Sequence, residues 1–408
     1  MARKKKSSIE SLIDSTKKYK TKRGRKKLLG KLIIYSIVWV CLLCSLIFST
    51  NIEKNINKTN FSFDSTIATG NYKVHYIDVG QGDSALIQFP DGKNMLIDTG
   101  DPSAKNNLVR YIDALQITQI DYFVITHPDS DHVGNAVTIF EQYDIVNVYI
   151  PTIYSLYEQE NGLCTEDFAL KNTKTWSNVV QAIYKEKETT LKSIVYNRPG
   201  VNIVAENYRV DFYSPLQDNL GTSDWNAYSP IMMVNIENVK YMFVGDASIN
   251  DESEFLSHYA SDVAVGKFDC DVLKVGHHGS RTSTCSEFLD AVKLEYAVIS
   301  VGKDNKYGHP TQEALTRLID ANSQIMRTDL LGSIVFGEGG NQVVASQSNY
   351  NHVNDTYYEW KYFVICGGIV LAIGFIFVIK TSKDEKEAKE EKEKQKASGT
   401  KSGKKVGK

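Results

Sequence analysis

Two uncharged apolar runs bracket this chain, and between them short apolar segments alternate with stretches of helical periodicity. Residues 32–48 and 362–379 contain no Asp, Glu, Lys or Arg. Each is long enough to cross the ~30 Å hydrocarbon core of a bilayer as a helix. Residues 49–70 are polar and aperiodic and read as a linker, as do residues 341–361. From residue 71 to residue 340 the pattern is that of one globular domain. It predicts strands over 73–79, 85–89, 94–98, 121–125 and 146–150, with helices over 104–115 and from about residue 133. Residues 152–190, polar and helical in propensity, read as an insertion overhanging a site. Strands are then predicted over 201–204, 208–213, 231–236 and 240–244. A second strand–helix alternation covers 271–275, 286–292, 296–301 and 311–320, and strands over 324–326 and 333–336 close the domain. Early hairpins with few intervening helices point to one sheet packed on another with helices outside, an α/β (α+β) arrangement.

Charge gives the apolar runs a direction. Residues 1–31 hold 13 Lys/Arg against Glu10 and Asp14, and a Lys/Glu-rich tail, 380–408, follows the second run. Basic flanks stay on the cytoplasmic side. The expectation is a plasma-membrane protein with two spans, cytoplasmic N-terminus and tail, and an extracytoplasmic central domain. The first run starts too far into the chain and lacks the small-residue cleavage site of a signal peptide; it reads as an uncleaved anchor.

The whole-chain formal charge of −2 conceals a strongly acidic centre. Of 47 Lys/Arg, 13 lie in residues 1–31 and 11 in 380–408; of 49 Asp/Glu, two and six do. The stretch between therefore carries 23 bases against 41 acids, a charge of −18. Such a field repels polyanions and argues against an avid nucleic-acid binder. Cysteines add little: Cys41, Cys44 and Cys366 fall in the apolar runs, and Cys164, Cys270 and Cys285 have no zinc-ligand spacing.

The chemistry gathers where apolar strands end. His127, Asp129, Asp131 and His132 occupy six consecutive positions directly after the run Tyr122-Phe123-Val124-Ile125. Carboxylates packed that closely repel one another unless a cation sits among them. Asp98 closes a hairpin, Asp246 follows Phe243-Val244-Gly245, and His277 and His278 follow a strand ending at Val275. His309 sits in Gly308-His309-Pro310. By contrast, His75 reads as a structural strand residue, His258 as part of a surface helix, and His352 as part of a linker. Ser84 and Ser280 read as turn formers.

This chain's His-x-Asp-x-Asp-His string, with Asp98, Asp246 and the later imidazoles at strand ends, resembles the metallo-β-lactamase hydrolase fold. The string 78–84 (DVGQGDS), with His277-His278-Gly279-Ser280 and Gly308-His309-Pro310, is similar to the hydrolase-like domain of ComEC-type competence proteins. The resemblance covers residues 72–338 and leaves out the multi-span channel of those proteins. It implies a four-layer αββα sandwich and a centre for two divalent ions. His127 and Asp129 would face the first ion; Asp131, His132 and one of His277 or His278 the second, with Asp246 bridging. Asp131 and Asp246 would be the catalytic carboxylates. Asp98 would orient the motif loop, and Asp83, Asn226, Ser229 and His309 would stand behind the ions or face substrate. Water between the ions would ionise near neutral pH and attack a phosphorus or carbonyl centre.

The chain departs from many such hydrolases. Asp129 stands where they carry His, and no His occurs between His132 and His258. Asn226 and Ser229 occupy the region of that missing ligand. The resulting oxygen-rich first site suits Mn²⁺ better than a zinc pair. The leading expectation is a membrane-anchored, extracytoplasmic metal-dependent phosphodiesterase or nuclease acting on DNA or an envelope phosphodiester. The alternative is a metal-stabilised receptor or scaffold in an envelope or DNA-uptake complex. Its protein partners are not legible.

Overall fold

The structure is a computed structural model that describes residues 71–338 and 343–347, with helical residues 29, 32–33, 35–37, 39–40, 376, 379–380, 383–384 and 386–394. The chain divides into two compact units, Ile56–His352 and a second made of Met1–Asn55 with Val353–Lys408. The two apolar runs lie largely outside the described residues. No helix among the described residues is long and apolar enough to cross a membrane.

In the unit Ile56–His352 the strands are β1 (Lys73–Tyr76), β2 (Ala85–Gln88), β3 (Asn94–Ile97), β4 (Gln119–Val124), β5 (Asp144–Ile150), β6 (Ile153–Ser155), β7 (Ala169–Lys171) and β8 (Ser193–Tyr196). They continue as β9 (Asn202–Val204), β10 (Tyr208–Phe212), β11 (Met232–Ile236), β12 (Val239–Phe243), β13 (Val272–Lys274), β14 (Tyr296–Ile299), β15 (Gln324–Arg327), β16 (Ile334–Glu338) and β17 (Val343–Gln347). The helices used below are α1 (Lys105–Ala114), α2 (Ser130–Val133), α3 (Ala136–Gln142), α4 (Leu156–Glu160), α5 (Lys174–Glu186), α6 (Ile249–His258), α7 (Ala260–Ala264), α8 (Ser286–Val292) and α9 (Gln312–Asp320).

One sheet runs β17-β16-β1-β2-β3-β4-β5-β8 and the other β15-β14-β13-β12-β11-β10-β9, while β6 and β7 form a separate parallel pair. Each large sheet is antiparallel on one side and parallel on the other: β3, β4, β5 and β8 run parallel, as do β12, β13, β14 and β15. Strand alternation sorts the side chains into layers. Ala85 and Ile87 of β2 and Tyr241 and Phe243 of β12 enter the core between the sheets. Leu86 instead packs with α1, α3 and α5, and Met242 with α6, α8 and α9. The result is the expected helix–sheet–sheet–helix order.

The differences from expectation lie in the middle and at the end. Residues 152–190 are not simply an insertion: Trp176, Val179, Val180 and Ile183 of α5 are buried in the outer core beside the first sheet. Their i, i+3, i+4, i+7 spacing marks a core-facing helix stripe, hidden in the sequence by polar residues on the other face. β8 fills an interval to which no element was assigned, and residues 343–347, read as linker, pair with β16 as β17. His75 is buried, 2.9 Å from the Tyr111 hydroxyl and 3.2 Å from Gln88 Oε1, a structural strand residue.

Glu252 of α6 is fully buried and accepts hydrogen bonds from the backbone N–H groups of Thr284 and Cys285. Burial pushes its pKa up to about 7, despite those N–H donors. The folded state thus holds this proton more tightly than the unfolded chain does. Stability linked to Glu252 is full below its ordinary value near 4.5 and is lost as pH rises through about 7. Urea midpoints should therefore fall between pH 4.5 and 8 by on the order of 3 kcal/mol equivalent. Glu252→Gln should flatten that slope, and an unchanged slope in the variant would exclude Glu252 as its source.

Candidate metal centre

The site forms at the carboxyl ends of parallel strands, where strand ends leave a crevice and loops can converge. β3 delivers Asp98, β4 the loop from Thr126 to His132, β12 Asp246, and β13 His277 and His278. Asp98, at φ 57°, accepts from the Thr126 backbone N–H (2.9 Å) and hydroxyl (2.6 Å) and lies 2.7 Å from His132 Nδ1. One buried carboxylate therefore holds both the start and the end of the motif loop. The His132 carbonyl in turn accepts from the Thr99 hydroxyl, and Asn135 bonds the Thr99 carbonyl.

Two glycines permit close approaches. Gly82 brings the loop before β2 against Asp131, where an added Cβ would meet the Asp131 carbonyl at 2.3 Å and Asp83 N–H donates to that same oxygen. Gly245, at φ 51°, sets Asp246 beside Ser229, whose Oγ accepts the Asp246 N–H at 3.1 Å. Either position with a side chain would shift a ligand-bearing loop.

The hydrogen bonds also fix the tautomers of His278 and His132. His278 Nδ1 lies 2.9 Å from the Ser300 carbonyl and 3.2 Å from Asp83, both acceptors, so it carries the proton. His132 Nδ1 donates to Asp98. His127 Nδ1 faces Thr126 Oγ1 at 3.1 Å and Ser229 Oγ at 3.2 Å; the Thr126 hydroxyl proton is already given to Asp98. Each ring thus turns Nε2 inward. His127 Nε2, His132 Nε2, His278 Nε2 and Asp246 Oδ1 are all buried without a hydrogen-bond partner. Unpaired buried polar atoms are costly, and four pointing into one space form a donor set for a cation. Ligand atoms of His127, His132 and Asp246 lie within 4.8 Å of one another, as do those of Asp131, His132 and His278.

The electrostatics agree. Burial opposes charge on His132 and His278, but Asp246 and Asp98 hold the first well above the ordinary imidazole value, and Asp246 and Asp83 push the second up to about 10. Burial alone would raise Asp246, yet His132 and His278 hold its carboxyl well below the usual range. His127 stays neutral, lowered to about 3 by burial and by His132. Carboxylates that favour a proton on Nε2 equally favour a metal there.

Not every expected residue joins the cluster. His277 sits at the rim, its Nε2 3.5 Å from Asp246 Oδ2, while His278 is the buried member of the pair. Both adopt left-handed backbone angles, φ 47° and 55°, strain that such residues rarely carry outside functional turns. Asp129 belongs to none of the converging groups; its Oδ2 lies 3.9 Å from His127 Nε2 while Oδ1 pairs with Lys171. Asp83 stands behind His278 and 2.7 Å from the Lys274 ammonium. Ser229 lies against His127, whereas Asn226 takes part in a turn through its backbone. His309 is half-buried with its ring 5.7 Å from that of His277. Lys171 and Thr126 had no assigned role in the sequence reading. The Thr126 hydroxyl is signalled only by its place before His127, and Lys171 by nothing local.

In this sandwich, imidazoles and carboxylates from facing strand ends converge as a candidate metal centre, and residues 77–191 match the Metallo-beta-lactamase superfamily. Over those residues the central domain is similar to the metallo-β-lactamase superfamily. In particular, the chain is similar to ComEC-type competence proteins. It is 27% identical over 281 residues to ComE operon protein 3 of Bacillus subtilis (strain 168), covering 65% of this chain and 33% of that protein. It is 28% identical over 271 residues to Competence protein ComA of Neisseria gonorrhoeae, covering 66% and 33%. The chain thus spans about a third of the length of these curated relatives. Among solved structures, the metallo-beta-lactamase fold protein YhfI from Bacillus subtilis aligns with 63% of this chain and 96% of its own, at 12% identity and a TM-score of 0.39.

Asp98 acts on the centre through His132 and Thr126. Asp98→Asn should weaken Mn²⁺ or Zn²⁺ affinity roughly 10–100-fold in competition with a chromogenic chelator. Wild-type affinity in a folded variant would remove Asp98 from that role.

Proposed function

We propose that this chain is a metal-dependent hydrolase of phosphodiesters, held at the plasma membrane by residues 32–48 and 362–379 with its central domain outside. The convergence of His127, His132, His278 and Asp246 on one buried space, with their inward atoms unpaired, carries this reading. His127 and Asp129 would hold one ion, Asp131, His132 and His278 a second, and Asp246 lies between them. Two divalent ions there would supply Lewis acidity and an ionised water, so the protein need provide no nucleophile of its own.

The chain's residues do the remainder. Asp98 and Asp83 lock the imidazole tautomers so that Nε2 lone pairs face inward. Asp246 and Asp131 keep the space anionic, which draws divalent cations rather than the substrate itself. His277 and His309 stand at the rim, placed to meet a substrate oxyanion once it is held. Side-chain exposures of 36% for Asp129 and 28% for both Asp131 and His277 leave one side open. A scaffold keeping metal for folding alone would close its coordination shell, and the open side supports catalysis over that role.

The oxygen-rich set of Asp129, Asp131 and Asp246 supports Mn²⁺ as the working ion. Similarity to proteins named for competence supports DNA as one phosphodiester to try, and the acidic centre supports envelope phosphodiesters as another.

Purified full chain with added Mn²⁺ should hydrolyse a chromogenic phosphodiester. Chelation should abolish turnover and Mn²⁺ restore it. Asp131→Ala should reduce it to background with the far-UV circular dichroism unchanged. Full activity in the variant would exclude this site. A folded, metal-loaded chain inert toward phosphodiesters would overturn the phosphodiesterase assignment.

A further inference from the structure

Lys171 ends β7 in the small β6–β7 sheet, in register with Ser155. β6 follows β5 directly and is buried throughout, and Ser155 caps α4 through a reciprocal bond with Glu158. This rigid platform carries the Lys171 side chain inward until only 8% of it is exposed. Its ammonium pairs with Asp129 Oδ1, and the Trp225 ring lies 5.0 Å from it on another side. A buried ammonium requires an anionic partner. Among the described residues, the acid at ion-pair distance from it is Asp129.

Asp129 is also absent from all four converging ligand groups among the described residues, while Asp131 on the same loop is included in one. The two corners of the centre are therefore unequal. In the corner of Asp131, His132 and His278 the positive partner of the carboxylate is an imidazole whose Nε2 proton a metal can replace, His278 Nε2 lying 3.4 Å from Asp131 Oδ2. The corner of His127 and Asp129 already holds a positive charge bonded to the oxygen beside the one facing His127.

We infer that Lys171 is a resident cation that competes with a divalent ion for the His127–Asp129 corner, so that the centre fills in two unequal steps. Two positive charges on one carboxylate repel, and in a partly dewatered cleft that repulsion is strong. With its side chain 8% exposed and the Trp225 ring 5.0 Å away, the ammonium has little water around it to screen that repulsion. The inference rests on the metal-binding part of the reading above and is independent of whether the chain hydrolyses anything.

Calorimetric titration of chelator-stripped full chain with Mn²⁺ tests it without turnover. Wild type should show one tight step and one at least about tenfold weaker. Asp129→Asn should remove the weaker step and leave the tighter one. Lys171→Met and Lys171→Gln should both tighten the weaker step about tenfold or more. The Gln variant separates charge from placement, because its amide still donates a hydrogen bond to Asp129 while carrying no charge. If Lys171→Gln behaves as wild type, or weakens the second step, Lys171 positions Asp129 and the inference fails. Two equal steps in wild type, or a single step in all variants, overturn it as well. Hydrolysis lost in an assay while the titration shows the two-step pattern would sink the catalytic reading alone.

Discussion

The carboxylate of Asp246 is the interaction on which the rest of this molecule is arranged. It is buried just beyond the end of β12, and three imidazole Nε2 atoms approach it: His132 at 3.3 Å, His277 at 3.5 Å and His278 at 3.6 Å. A carboxylate so placed is tolerable only with positive charge around it. His132 comes from the first sheet and Asp246, His277 and His278 from the second, so the contact exists only when the sheets pack in correct register. Gly245 and Ser229 hold the backbone on one side, and Asp98 holds His132 on the other. The apolar core between the sheets therefore sets a charge geometry as well as excluding water.

Around that contact the acid load is balanced unevenly by lysines. Lys274 sits at the bottom, between Asp83 and the Val275 carbonyl, and supports His278 from behind. Lys171 sits at the open side on Asp129. The first lysine belongs to a core strand and the second to a small sheet outside the sandwich. Charge compensation at the base is built into the fold, whereas at the mouth it is supplied by an added element.

Much of this was legible in the chain because strand ends announce themselves. An apolar run followed at once by His or Asp locates a side chain at the end of a buried strand, and this placed Asp98, Asp246 and the loop of His127 to His132 correctly. What could not be read depends on contacts across the fold. Nothing near Ala169-Leu170-Lys171 marks the lysine as a partner of Asp129, 42 residues earlier. The choice between His277 and His278 depends on a left-handed turn that directs one ring inward and the other to the rim. The stripe of α5 was present as Trp176, Val179, Val180 and Ile183, but the surrounding polar residues outweighed it. β17 was missed because a five-residue edge strand carries little pattern of its own.

The pairing of β1 with β16 joins the beginning of the domain to its end, with Lys73 opposite Gly337. The first strand of the domain and β16 near its end thus lie side by side in one sheet. A module closed in this way can be spliced into a longer polypeptide, or carried alone, without rewiring its core. Its correspondence to about a third of each much longer relative fits such portability: the sandwich is a unit that different flanking segments can carry.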